Sequence, residues 1–154
     1  MNKLFIFLFY FFLLNNSFSQ ETESIEITAD EMEWDKQKNE AIALGNAKAT
    51  KGNTEIIANK IIASLTDTSK DQQIIKLVAT GKVKFTRMEE IATGKKAIYD
   101  LEKDIIVIKG NVSLKKGENI MAGESLIIDL NTGLSKLSGS NVNNKVKMKY
   151  NTKN

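Results

Sequence analysis

Residues 100–129 read DLEKDIIVIKGNVSLKKGENIMAGESLIID, and this stretch decides the fold. It opens on Asp100, reaches Gly110 after nine intervening residues, and ends on Asp129, where the same pattern starts again. Ile106 and Ile108 stand before the glycine, and Val112 and Leu114 after it, all on one parity with Gly110 itself. Polar residues such as Asn111 and Ser113 hold the other parity. Alternation with period two marks a half-buried β-strand. A glycine on the apolar parity marks a bend or a close backbone approach in mid-strand.

Outward from this stretch, Asp followed after nine residues by Gly recurs in register: Asp35 to Gly45, Asp71 to Gly81, Asp100 to Gly110, Asp129 to Gly139. Successive Asp residues lie 36, 29 and 29 apart. The unit is therefore 29 residues, and seven extra residues fall in the first interval, within Thr66–Lys70. The apolar positions repeat too: Ala41 and Ala43 with Ala47 and Ala49, then Leu77 and Ala79 with Val83 and Phe85. Such self-similarity is the sequence sign of a stacked repeat.

A second strand closes each unit. One residue before the next Asp stand Trp34, Tyr99 and Ile128, and three before it Met32, Ala97 and Leu126. Thr28-Ala29-Asp30, Ala58-Asn59-Lys60, Thr93-Gly94-Lys95 and Ala122-Gly123-Glu124 precede these strands as recurrent bends. The apolar phase slips by one residue between copies, which implies a bulge. In the second copy, Ile61, Ile62 and Ala63 make both faces apolar, so the inward one stays open. The turns start on Asp, which accepts from its own following backbone. No apolar helical period lasts more than two turns. The expected fold is all-β and antiparallel, about four repeats of two strands of about 5 to 9 residues each. A stacked array that does not close leaves edges at Ser24–Thr28 and Val142–Tyr150, with Ile25, Ile27, Val142, Val146 and Met148 as candidate partner contacts.

The chain of 154 residues has no Cys, His or Pro. That excludes disulfides, thiolate metal sites, thiol nucleophiles, imidazole bases and His-ligated cofactors. Asp30-Glu31 and Glu89-Glu90 sit on opposite faces of their strands and form no acid–base couple. Neither a catalytic residue nor a metal or other cofactor is expected. Six of seven Phe fall within the first 18 residues, where Lys3, the apolar run Leu4–Leu14 and Ser17-Phe18-Ser19 have the layout of a cleavable secretory signal. Eleven apolar residues are too few to cross a bilayer core, which needs about 20. The expected organisation is a signal over 1–19, a β domain over 20–140, and a basic edge strand and tail over 141–154. Leu130–Asn154 holds five Lys and no acid, read as a solvated end or as a surface for an acidic partner or anionic lipid.

Ala29-Asp30-Glu31-Met32-Glu33-Trp34-Asp35, followed by Ala41 through Gly45-Asn46-Ala47, resembles the A-D-x-x-x-aromatic-D … G-x-V/A signature of the LptA/OstA family. Tyr99-Asp100 with Gly110-Asn111-Val112, and Ile128-Asp129 with Gly139, repeat it, so the resemblance runs from Ile25 to Leu137. It implies a partly open β-jellyroll with an apolar interior that carries lipopolysaccharide across the periplasm. Implied partners are the lipid A acyl chains, an LptC-like inner-membrane protein, an LptD-like outer-membrane translocon and further copies joined head to tail, with no nucleic acid. The interior residues expected to meet acyl chains are Trp34, Leu77, Val83, Phe85, Tyr99, Ile106, Ile108, Val112, Leu114, Leu126 and Ile128. The short apolar run with its cleavage site favours a soluble bridge. The alternatives are an inner-membrane-anchored LptC-like component and a secreted structural β-repeat with no lipid ligand.

Overall fold

The structure, a computed structural model, describes residues 23–68, 70–140 and 145–150. The expected signal segment and Val142 lie outside the described residues. Among the described residues ten strands form one antiparallel sheet: β1 (Ile25–Thr28), β2 (Glu31–Asp35), β3 (Glu40–Lys51), β4 (Thr54–Leu65), β5 (Ile74–Arg87), β6 (Glu90–Asp100), β7 (Ile105–Lys116), β8 (Asn119–Asp129), β9 (Ser135–Ser138) and β10 (Lys147–Lys149). Strands β3 to β8 pair in chain order; β1 and β2 both lie on β3, and β9 and β10 both lie on β8.

The 29-residue unit is thus one hairpin, and three are complete: β3–β4, β5–β6 and β7–β8. Their strands are longer than the 5 to 9 residues expected from the sequence, at 11 to 14. The reason is that the mid-strand bends do not end the strands. Each bend is a register shift, at Leu44/Ala47, Ile57/Lys60, Thr80/Val83, Thr93/Lys96 and Lys109/Val112, and pairing resumes beyond it. In β3, β5 and β7 the shift is made by Gly plus its successor, both at positive φ; Gly110 is at 88° and Asn111 at 49°. A Cβ at Gly110 would also lie 2.9 Å from the Lys95 side chain, so glycine serves both conformation and space.

These shifts align across the sheet as a crease. Asp30 lies opposite Gly45, and its backbone N–H donates to the Gly45 carbonyl (2.9 Å), while Asn46 Nδ2 donates to the Asp30 carboxylate (2.8 Å). The crease folds the sheet into two leaves. Leaf A holds β2, residues 40–44, 60–65, 74–80, 96–100, 105–109 and 125–129, and β9; leaf B holds β1, the other strand halves and β10. The extra residues of the first interval form the β4–β5 loop over 66–73, as expected. Asp35, Asp100 and Asp129 start turns by accepting from backbone N–H groups two or three residues ahead.

Candidate functional site: the apolar interior and its edges

Cross-strand pairing sorts the inward side chains into rows that run from edge to edge. In leaf A one row is Met32, Ala43, Ile61, Ala79, Ala97, Ile108, Leu126 and Leu137, and the next runs from Trp34 through Ala41, Ala63, Leu77, Tyr99, Ile106 and Ile128 to Ser135. In leaf B the matching row is Ile27, Ala49, Ile56, Phe85, Ala92, Leu114, Met121 and Met148. The register resolves the ambiguous second copy: Ile61 and Ala63 point inward and are fully buried, and Ile62 points out.

Ten of the eleven interior residues named from the sequence lie together in the buried core: Leu77, Val83, Phe85, Tyr99, Ile106, Ile108, Val112, Leu114, Leu126 and Ile128. Trp34 does not. It is on the inward side of β2, opposite Ala41, but remains 51% exposed, because β2 is an edge strand with no further strand to cover it. Met32 on the same edge is 56% exposed, and Met148 on the opposite edge 61%. The inner lining therefore runs out into the open at both ends of the sheet. Ile25 and Ile27 are half-buried on β1, Met148 lies on β10, and Val146 lies just before it. The sequence pattern marks β2 by Met32 and Trp34 before Asp35 but places the edges only at Ser24–Thr28 and Val142–Tyr150; in the structure each edge is two short strands, one per leaf.

The far ends of the leaves touch. Lys51, at the β3–β4 tip, donates to Asp104 Oδ1 at 2.9 Å and to the Tyr99 hydroxyl at 3.4 Å. Tyr99 donates to the same Asp104 oxygen at 2.7 Å. Arg87, at the end of β5, donates to the Leu130 carbonyl at 3.2 Å. These partners are 43 to 53 residues from Lys51 or Arg87 in the chain, with no local pattern to announce them. Burial, then the bond to Asp104, pushes the Tyr99 phenol well above its ordinary value. Burial pushes the Asp104 carboxyl up, but the Lys51 and Tyr99 hydrogen bonds outweigh it and hold the group low. Behind this rim, an apolar recess bounded by Ile25, Ala49, Ile56, Leu77 and Tyr99 has a volume of only about 10 Å³, room for about one water. In front of it a polar recess of about 390 Å³ is lined by Glu23, Lys51, Arg87, Tyr99 and Asp104.

This is a folded antiparallel sheet with an apolar inside, a latched rim and open edges: an all-β jellyroll. Residues 26–134 match the family model described as LptA/(LptD N-terminal domain) LPS transport protein, and the chain belongs to that family. A relative from Rhizobium meliloti (strain 1021), the uncharacterized protein R00383, is 29% identical over 121 residues. That alignment covers 75% of this chain, and the chain spans 65% of that relative's length. The crystal structure of LptH from Pseudomonas aeruginosa, the LptA-homologous periplasmic component of the lipopolysaccharide transport device, superposes with a TM-score of 0.71 over 84% of this chain and 96% of that one. Identity to LptH is 15%, so this likeness concerns the fold.

Proposed function

We propose that this protein is a periplasmic bridge that shields the acyl chains of lipopolysaccharide and passes the lipid from the inner toward the outer membrane. The observation that carries the reading is the continuity of the inner rows: the Met32 row is apolar from β2 to β9, the Trp34 row from β2 to Ile128 on β8, and the Ile27 row from β1 to β10, with Met32, Trp34 and Met148 exposed at their ends. A conduit needs a lining that does not stop at its own ends. Transfer takes no bond chemistry, only shielding at about 25 cal/mol per Å² of apolar surface kept from water. Acyl chains would lie against the inner rows between Phe85 and Ile108, while phosphorylated sugars stay at the polar rim beside Lys51 and Arg87. Since the interior is packed in this structure, loading requires the leaves to part at the rim. Head-to-tail pairing at the edges, through β1 and β2 at one end and β9 and β10 at the other, would extend the lining to further copies and to the LptC-like and LptD-like partners. The segmentation into a signal over 1–19, a domain over 20–140 and a basic tail belongs to the same proposal.

The test is in-cell photo-crosslinking with a benzophenone amino acid at inward Phe85 and Tyr99 and at outward Lys84. Crosslinks to lipopolysaccharide at the inward sites alone support the conduit. No crosslink at any inward site, with the protein folded and exported, would support the second reading, a structural β-repeat whose tightly filled core holds no lipid.

A further inference from the structure

The outer surface of leaf A carries a feature that the interior does not explain. At one register level the outward side chains are Ile42, Ile62, Val78, Ile98, Val107 and Ile127, each paired directly with the next across six strands. All are on the solvent side, since their chain neighbours in β4 to β8 are buried; Ile127 is 42% exposed and the others are partly exposed. Strands about 4.8 Å apart make this an unbroken aliphatic stripe about 24 Å long. Rows of opposite charge flank it. On the crease side lie Lys60, Lys96 and Lys109, with Lys96 directly opposite Lys109. Like charges facing across a ladder oppose folding, and among the described residues no ion pair relieves these three. On the turn side lie Glu40, Asp100 and Asp129, accompanied by Lys76 and by Lys103, which pairs with Asp100 at 3.2 Å, so the acids outnumber the lysines in the register row itself and Asp100 shares its charge.

We propose that this stripe is the contact face for a second copy of the chain, packed sheet to sheet about a twofold axis that runs along the stripe. Such an axis lays each apolar residue over its own counterpart. It also exchanges the two flanks, so that the lysine row of one copy meets the acidic row of the other. Lys96 then lies over Asp100 of the second copy, and Lys109 lies between Asp100 and Asp129. A twofold axis across the stripe would instead oppose lysines to lysines and acids to acids. An anionic membrane surface would be attracted by one flank and repelled by the other. The sheet's twist turns the outer strands away, so the contact centres on Ile62, Val78, Ile98 and Val107. The area is small, which makes this a weak, concentration-dependent association. It is distinct from edge-to-edge joining, because β5, β6 and β7 lie in the middle of the sheet.

The chain has no cysteine, so single-cysteine variants report contacts directly. Val107→Cys on leaf A and Ser113→Cys, outward on the same strand in leaf B, are conservative probes for the full chain. The expected result is a covalent dimer with the shortest bismaleimide for Val107→Cys at concentrations where Ser113→Cys stays monomeric. Sedimentation velocity should show the unlinked protein associating, with Lys96→Glu weakening that association at least tenfold while its circular dichroism is unchanged. Equal crosslinking of both variants, or of neither, overturns the proposal. So does loss of anionic-vesicle binding in Val107→Asp without any change in self-association, which would assign the stripe to a lipid surface.

Discussion

Leaf B turns Lys48, Ile57, Lys84, Thr93 and Ser113 outward along one cross-strand row, where leaf A turns out Ile42, Ile62, Val78, Ile98 and Val107. Inside, the leaves are alike: Phe85, Val112 and Leu114 of leaf B and Leu77, Ile106 and Ile108 of leaf A are all buried in one core. An antiparallel sheet needs only one apolar face to fold, and leaf B shows that the repeat builds its strands with a polar outer face. The aliphatic outer row of leaf A is therefore additional to what folding demands. The same hairpins cross the crease from one leaf to the other, so the difference is carried within single strands. In β7 the outward residue is Val107 before the Gly110 bend and Ser113 after it.

The hardest blow to the shared interior comes from truncating it on either leaf. Phe85→Ala should cost about 3–5 kcal/mol and Ile108→Ala about 2–5 kcal/mol, both measured by urea denaturation with an unchanged slope. A cost below about 1 kcal/mol for one of them alone would mean that the leaves fold around separate cores.

Next in size is overpacking at the crease, where the leaves join. Gly94 has an ordinary φ, but a Cβ there would lie 2.6 Å from Ile108 Cγ2. Gly94→Ala is expected to cost about 1–3 kcal/mol, because Ile108 and its strand are held by the rows on either side. Combining it with Ile108→Ala, which removes the clashing Cγ2 itself, should cost less than the sum of the two single changes. Strict additivity of the two changes would show that the clash is relieved by backbone movement instead.

Much of this was legible in the sequence because the repeat writes the same physics three times. The Asp-to-Gly spacing located the turns at Asp35, Asp100 and Asp129 and the bends at Gly45, Gly81 and Gly110. Alternation gave the inward residues of β5 and β7 directly, including Phe85 and Ile108. It falls short where a bulge flips the phase, as between Ile57 and Lys60: Ile56 is not picked out, and Ile61 stays unassigned between two apolar faces. At Trp34 it gave the inward side, but parity does not say whether anything covers a residue at an edge. The rim of Lys51, Arg87, Tyr99 and Asp104 joins segments that no local pattern relates, and only the folding of one leaf over the other brings them together.

The smallest expected effect separates that rim from the turns that surround it. Asp104 is held below its ordinary value near 3.8, so the folded chain binds this proton less tightly than the unfolded one. Its stabilisation is present above that value and is lost as the pH falls below it, through the lower folded-state value. Tyr99 is raised above its ordinary value of 10.0, so its share is present at lower pH and is lost as the pH climbs past 10. Asp35 and Asp100, held low by backbone N–H groups of Lys38 and Lys103, add to the acid arm, so Asp104→Asn should flatten that arm only in part. Tyr99→Phe keeps the ring in the core and removes the hydroxyl, and should flatten the alkaline arm. For a partly exposed pair at the rim the change in stability is about 0–1 kcal/mol. Thermal unfolding from pH 3 to 11 reads it, and an alkaline arm unchanged in Tyr99→Phe would mean that the hydroxyl does not bind the two leaves together. Under the proposed conduit function the rim parts for loading, so both variants should also take up lipopolysaccharide faster than the parent, although Asp104 lies outside the inner rows and Tyr99→Phe leaves the inner row apolar.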